Sequence, residues 1–154
     1  MTKKSPTSFK VSTRSVVSTE KRYFDTKLME VLITRFLTKH PKFSFESTGV
    51  VMCTVNPGFC RSELGRFAKG PMVVAQAVAF AVLARSTEQG ARTFTWACLN
   101  NDIPQGSYTS SCKVARPSSF VLSPRGDRVS EKLWNELVII LNQIAPEKQS
   151  AWTL

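Results

Sequence analysis

Two side chains of complementary chemistry stand four residues apart, Tyr23 and Lys27. On a helix that spacing puts both on one face, near enough for the ammonium to act on the phenol. A phenol titrates near ~10, too high for easy proton exchange at neutral pH, and a neighbouring cation favours its ionised form. Such a pair suits acid/base work on a carbonyl or an alcohol. Two solvated neighbours on any helix show the same spacing, so the surrounding elements must decide.

The pair needs a helix to hold it. From Glu20 to Lys39 the apolar positions Tyr23, Phe24, Leu28, Val31, Leu32, Phe36 and Leu37 recur at three and four, the helical period. Pro41 disfavours the helical region for the residue before it, so the helix should stop at His40, which reads as a helix terminus rather than a base. Residues 43 to 48 read as loop. Gly49 to Val55 read as a strand apolar on both faces, as in a covered parallel sheet. Pro57-Gly58 ends it in a turn. Ligands of open parallel sheets sit beyond the carboxyl ends of strands, so a cofactor edge would lie at that turn.

Further along, Pro71 suits the first position of a helix running to about Ser86. Its Val73, Val74, Ala77, Val78, Phe80, Ala81 and Val82 leave little polar surface, and burial is expected. Ser86-Thr87-Glu88-Gln89 has the form of a capping box and would open another helix with Ala91, Phe94 and Cys98 on a shared face. By propensity Thr93 to Leu99 reads instead as a strand. Gly106 to Val114 suit a short edge strand and loop, Arg116 to Gly126 an irregular stretch, and Asp127 to Ile144 a final amphipathic helix through Val129, Leu133, Leu137, Ile140, Leu141 and Ile144.

Tyr23-x-x-x-Lys27, followed by an apolar strand and Pro57-Gly58-Phe59-Cys60-Arg61-Ser62, resembles the second half of a short-chain dehydrogenase/reductase. Ser86 to Thr93, Gly106-Ser107-Tyr108 with Cys112-Lys113-Val114, and Lys132-Leu133-Trp134 are similar to the retinol-dehydrogenase-like branch, especially its fungal members. The likeness runs over residues 20 to 147. It implies an α/β fold, the C-terminal part of a doubly wound, Rossmann-type parallel sheet with flanking helices, and it favours the helix over the strand for Thr93 to Leu99.

The resemblance also implies an oxidoreductase that interconverts an alcohol and a carbonyl with NADP or NAD. Tyr23 would be its general acid/base, and Lys27 would lower the phenol's pKa and hold the nicotinamide ribose. Pro57, Gly58 and Phe59 would line the nicotinamide, and Ser62 stands where the family often has a threonine that contacts the carboxamide. The Tyr23 helix would form a subunit interface, in a homodimer or with a full-length relative.

Two parts of the family pattern are missing. A Gly-x-x-x-Gly-x-Gly turn lets a backbone approach the pyrophosphate at a helix N-terminus. None of the seven glycines precedes Gly49, and none of them is spaced as such a turn. The strand serine is not identifiable either, since Ser8 and Ser12 stand at plausible distances in a segment that matches a buried strand poorly. The expectation is a truncated domain, inactive alone. The alternative is a catalytically dead fragment acting as a binding module.

Composition bounds the rest. The 154 residues divide into a basic Ser/Thr-rich leader (1–19), a partial dehydrogenase domain (20–147) and a tail (148–154). The net charge is +10, and residues 1 to 22 carry Lys3, Lys4, Lys10, Arg14, Lys21 and Arg22 against Glu20. Such a leader suits a solvated tail, with the look of an organellar transit peptide as a second reading. The other cations are scattered and lack the interleaved aromatics that stack bases, so no nucleic acid is expected. No apolar run reaches the ~18 residues a membrane span needs, since Val73 to Leu83 is short and holds Gln76. Cys53, Cys60, Cys98 and Cys112 form no C-x-x-C unit and, with His40, no zinc set, so no metal is expected. Free thiols in a reducing compartment point to the cytoplasm.

Overall fold

The structure, a computed structural model, describes residues 19 to 61, 77 and 81 to 154. Residues 1 to 18, with Ser8 and Ser12, lie outside it. So do Ser62 and most of the helix expected from Pro71.

Helix α1 covers Thr19–Thr38, ending where the sequence places its end. The His40 N–H reaches Leu37 O at 2.9 Å. His40 then caps a 3-10 turn, Pro41–Phe43, its Nδ1 accepting from Lys42 N at 3.3 Å. Where a loop was expected, Ser44 caps a one-turn helix α2, Phe45–Thr48, whose orphan N–H groups its side chain and backbone satisfy. Gly49 closes that turn at φ 65°.

The strand expected over Gly49 to Val55 is shorter. β1 is Thr54–Asn56, and Val50 and Val51 are exposed. The cause is a local substitution of partners: Met52 N–H donates to Gln105 Oε1 at 2.7 Å, and Met52 O accepts from Gly106 N at 2.9 Å. Regular pairing begins only where Thr54 N–H donates to Ser107 O at 2.8 Å.

β1 runs parallel to β2, Tyr108–Ser110, with Thr54 opposite Tyr108 and Asn56 opposite Ser110. β2 turns back into β3, Lys113–Ala115, as an antiparallel hairpin. The order is β1-β2-β3, so β2, expected as an edge strand, lies in the middle. The architecture is α/β, with a small mixed sheet that contains one parallel pair among the described residues.

Residues 81 to 83 are helical. The burial expected there does not hold, since Val82 and Leu83 are 74% and 71% exposed. Nor does the helix reach Ser86, because Arg85 leaves it to pair in parallel with Cys60. Helix α3, Thr87–Leu99, opens with the expected capping box, Ser86 and Gln89 each satisfying the other's backbone N–H. It rules out the strand reading of Thr93 to Leu99. Its inward face is Gly90 and Thr93, whereas Ala91, Phe94 and Cys98 are exposed.

Helix α4, Pro124–Ile144, begins ahead of the expected start and inside the stretch read as irregular. Ser123 caps it and Pro124 takes its first position, where no N–H is needed. Gly126, Ser130 and Trp134 face inward, Leu133, Leu137 and Leu141 are half-buried, and Val129, Ile140 and Ile144 are exposed. α4 packs along α1, which also touches β1. The Trp134 ring meets those of Phe36 and Phe43 at 6.5 Å each, with Leu32, Ile103 and Val121 buried nearby in the core set. A 3-10 turn, Pro146–Lys148, leads to α5, Gln149–Trp152, docked by Trp152 Nε1 on Asn142 Oδ1 at 2.7 Å. Among the described residues no helix is long and apolar enough to cross a membrane.

Candidate functional site

Three segments converge at the carboxyl end of the parallel pair. The first follows β1. Asn56 Oδ1 accepts from Gly58 N at 2.9 Å, an Asx turn that bends the chain at Pro57. The other end of the same amide, Nδ2, donates to Tyr108 Oη at 2.7 Å, tying the turn to β2. Gly58 has φ 83°, a region that costs glycine little and other residues more. Pro57 and Gly58 are half-buried and Phe59 is exposed.

Second comes the tip of the β2–β3 hairpin. It has two residues, Ser111 and Cys112, at φ 52° and 56°. Two positive φ values in a two-residue loop make a type I′ turn, which twists with the strands but is commonly built from Asn and Gly. Cys112 Sγ contacts Arg92 O at 3.8 Å and Thr93 Oγ1 at 3.9 Å, leaning the tip on α3.

The third is the start of α3. A Cβ at Gly90 would stand 2.5 Å from Cys60 Sγ and 3.5 Å from Pro57 Cβ, so glycine there lets the helix lie directly on the turn. Cys60 Sγ donates in turn to Pro57 O at 3.4 Å.

Tyr23 and Lys27 lie one turn apart near the start of α1. Thr38, at the other end, packs against Gly106 just before β2. From Tyr23 to Thr38 the helix rises about 22 Å. α1 also touches β1. Tyr23 is 38% exposed, its ring edge-on to Phe24 at 5.6 Å. Lys27 Nζ lies on both carboxylate oxygens of Glu30 at 2.8 and 3.0 Å. That hydrogen bond raises the ammonium above its ordinary value of 10.5, with Tyr23 adding a smaller part of the same sign.

Asn56, Arg85 and Ser111 enter this cluster without having been singled out in the sequence, and Tyr108 stood out there only as part of the Gly106-Ser107-Tyr108 motif. Asn before Pro-Gly is a turn signal that could have revealed Asn56. Arg85 gives no such signal. An open groove of about 800 Å³ adjoins the hairpin tip at Cys112 and runs along α3 by Arg92, Trp96 and Leu99 to Asp102, and neither Tyr23 nor Lys27 borders it. Among the described residues no three His, Cys, Asp or Glu side chains gather as a metal site.

Comparison with known proteins finds several relatives. A short chain dehydrogenase/reductase of Cryptosporiopsis sp. is 40% identical over 121 residues, 78% of this chain and 36% of the relative. A short-chain dehydrogenase of Penicillium roqueforti is 33% identical over 129 residues, 81% of this chain and 34% of the relative. Human retinol dehydrogenase 12 is 31% identical over 115 residues, 73% and 34% respectively. The chain spans about a third of the length of the curated relatives it matches. No family model matches it, and no solved structure does.

Proposed function

The chain belongs to the short-chain dehydrogenase/reductase family, and we propose that it carries the proton-transfer and nicotinamide-edge part of an oxidoreductase that interconverts an alcohol and a carbonyl. What supports this reading is the Gly58 turn at the carboxyl end of a parallel strand, together with the one-turn spacing of Tyr23 and Lys27 on α1. A doubly wound parallel sheet is part of the same proposal, with β1 and β2 as two of its strands.

The residues fit one edge of a nicotinamide cofactor, NADP or NAD. The Gly58 turn leaves the carboxyl end of a parallel strand, where such sheets hold ligands. The pyrophosphate has no glycine-rich cradle within these 154 residues. When bound, the nicotinamide supplies or accepts the hydride. The protein's share is position and proton transfer. The Tyr23 hydroxyl gives its proton to a carbonyl oxygen as it becomes an alkoxide, leaving a phenolate that takes the alcohol proton in the reverse direction. Lys27 presents positive charge one turn along, toward the phenol and the ribose hydroxyls, once its ammonium turns from Glu30. Pro57, Gly58 and Phe59 would line the ring, and Ser62, outside the described residues, would contact the carboxamide.

The test joins the chain to the dinucleotide-binding half of a close relative and measures NAD(P)H-dependent reduction of carbonyl substrates. The 154-residue chain alone should show no turnover, and the joined protein should. Within it Tyr23→Phe should reduce turnover by about a hundredfold or more while cofactor affinity holds, since only a hydroxyl is lost. Lys27→Ala should lower both. Full activity of the Tyr23→Phe protein would end this reading.

A second reading, a binding module that joins a full-length relative through α1, is favoured by the exposed Phe24 and Met29 on that helix. Co-purification of the two chains, lost on Phe24→Glu, would support it.

A further inference from the structure

Arg85 stands where the three segments of the site meet. Its backbone is fixed by two bonds, Arg85 N to Phe59 O and Arg61 N to Arg85 O, both 2.9 Å. Ser86, the next residue, caps α3. From that fixed point the side chain crosses Gly58. A Cβ at Gly58 would lie 3.3 Å from Nη1 and 3.6 Å from Cζ, so the guanidinium covers the side of the turn on which a side chain would project. Beyond Gly58, Nη1 donates to Ser111 Oγ at 3.0 Å. Ser111 holds a positive φ that a residue with a side chain adopts uncommonly. One guanidinium thus spans the turn after β1 and the tip after β2.

We propose that Arg85 is a positioning residue for the nicotinamide edge, fixing the Pro57–Phe59 turn and the hairpin tip relative to each other. The inference rests on the reading that this turn borders a nicotinamide. Glycine has the widest backbone freedom of any residue, and Asn56 anchors Gly58 through its N–H. The guanidinium covers the side on which a side chain would project. A turn held in its bound shape spares the ordering cost on binding, so losing the clamp weakens ligand binding without the residue touching the ring.

The probe is nicotinamide mononucleotide, which needs no adenosine pocket. Its binding to the full chain is read by saturation-transfer NMR on the ligand, which tolerates an oligomeric protein. Arg85 and Ser111 are exposed, so Arg85→Ala and Ser111→Ala should leave the thermal midpoint in place. Each should weaken binding about fivefold, the scale of one exposed charge-assisted hydrogen bond. The double variant should be no weaker than either single one, because both cut the same link. Arg85→Lys keeps the charge and loses the planar face, and it should remain weak. Wild-type affinity in Arg85→Ala, additive losses in the double variant, or full recovery in Arg85→Lys would overturn the clamp while leaving the nicotinamide reading intact. A lowered midpoint that accounts for the loss would also overturn it, making Arg85 a residue of the fold alone. Failure of the wild-type chain to bind the probe at tens of millimolar would overturn the nicotinamide reading and the clamp with it.

Discussion

At the scale of single residues, the hydroxyls of two strand threonines, Thr54 and Thr109, fare differently. Thr109 Oγ1 donates to Thr54 O at 3.2 Å, whereas Thr54 Oγ1 is buried with no hydrogen-bond partner among the described residues. A buried hydroxyl without a partner costs its desolvation and returns nothing. Thr54→Val keeps the branched shape a strand prefers and removes the orphan, so it should raise the unfolding free energy by about 1 kcal/mol. Chemical denaturation measures this, and a loss of similar size would mean that the hydroxyl has a partner in the folded protein. What was legible at this scale followed from local spacing. Tyr23 and Lys27 could be paired because four residues make one helical turn. Arg85 could not be paired with Ser111 or Gly58, since the contacts depend on where a strand, a hairpin and a helix meet. Cys53 lies in the stretch read as a covered strand, and its burial raises the thiol above the ordinary 9.0, which keeps it protonated and poorly reactive.

Elements were legible where they are capped by their own neighbours. The Ser86–Gln89 box, Pro41 after His40 and the Asn56-Pro57-Gly58 turn each act within a few residues, and the structure has an element boundary at each. The packed face was legible on α1, where Leu32 is buried and Leu28, Val31, Phe36 and Leu37 are half-buried, but not on α3. Apolar periodicity pointed to Ala91, Phe94 and Cys98 as the packed side of α3, but the small Gly90 and Thr93 face inward because the 57–60 turn lies against them. On α4 the small Gly126 and Ser130 likewise share the inner face with Trp134. Between α1 and α4 an exposed ion pair adds a test. Lys39 Nζ lies 2.6 Å from Asp127 Oδ1, the two side chains 54% and 56% exposed. The Lys39 hydrogen bond, then its charge, lowers the Asp127 carboxyl below the ordinary 3.8. A lowered folded-state value stabilises above the unfolded-state value and is lost as pH falls through the folded one. Asp127→Asn should therefore cost a few tenths of a kcal/mol at pH 7, a small effect because the pair is exposed, and nothing near pH 2. The difference should shrink in about 1 M salt. Denaturation at the two pH values reads it, and a deficit that persists at pH 2 would exclude the ion pair as its source.

For the whole molecule the decisive feature is the open side of β1. Among the described residues β1 pairs with β2 on one edge only, and Val50 and Val51 are exposed on the approach to it. An unpaired, apolar strand edge recruits other chains. Exposed Phe24 and Met29 on α1 add apolar surface of the kind that marks an interface. Against this stands a net charge of +10, which opposes association through repulsion. Contact at a strand edge is short-ranged and gains backbone hydrogen bonds, while the repulsion is spread over the surface and screened within about 8 Å at physiological ionic strength. The edge should win. Sedimentation of the 154-residue chain at micromolar concentration should show dimers or larger species, their share rising with salt as the charge is screened. Val51→Lys puts a charge where the edge must dock, a device natural sheets use, and should move the distribution toward monomer without touching the inward residues Leu32, Ile103, Val121 and Trp134. A cooperative monomer at every salt concentration would show that the edge is covered in solution. Association unchanged by Val51→Lys but abolished by Phe24→Glu would instead move the contact from the sheet to α1.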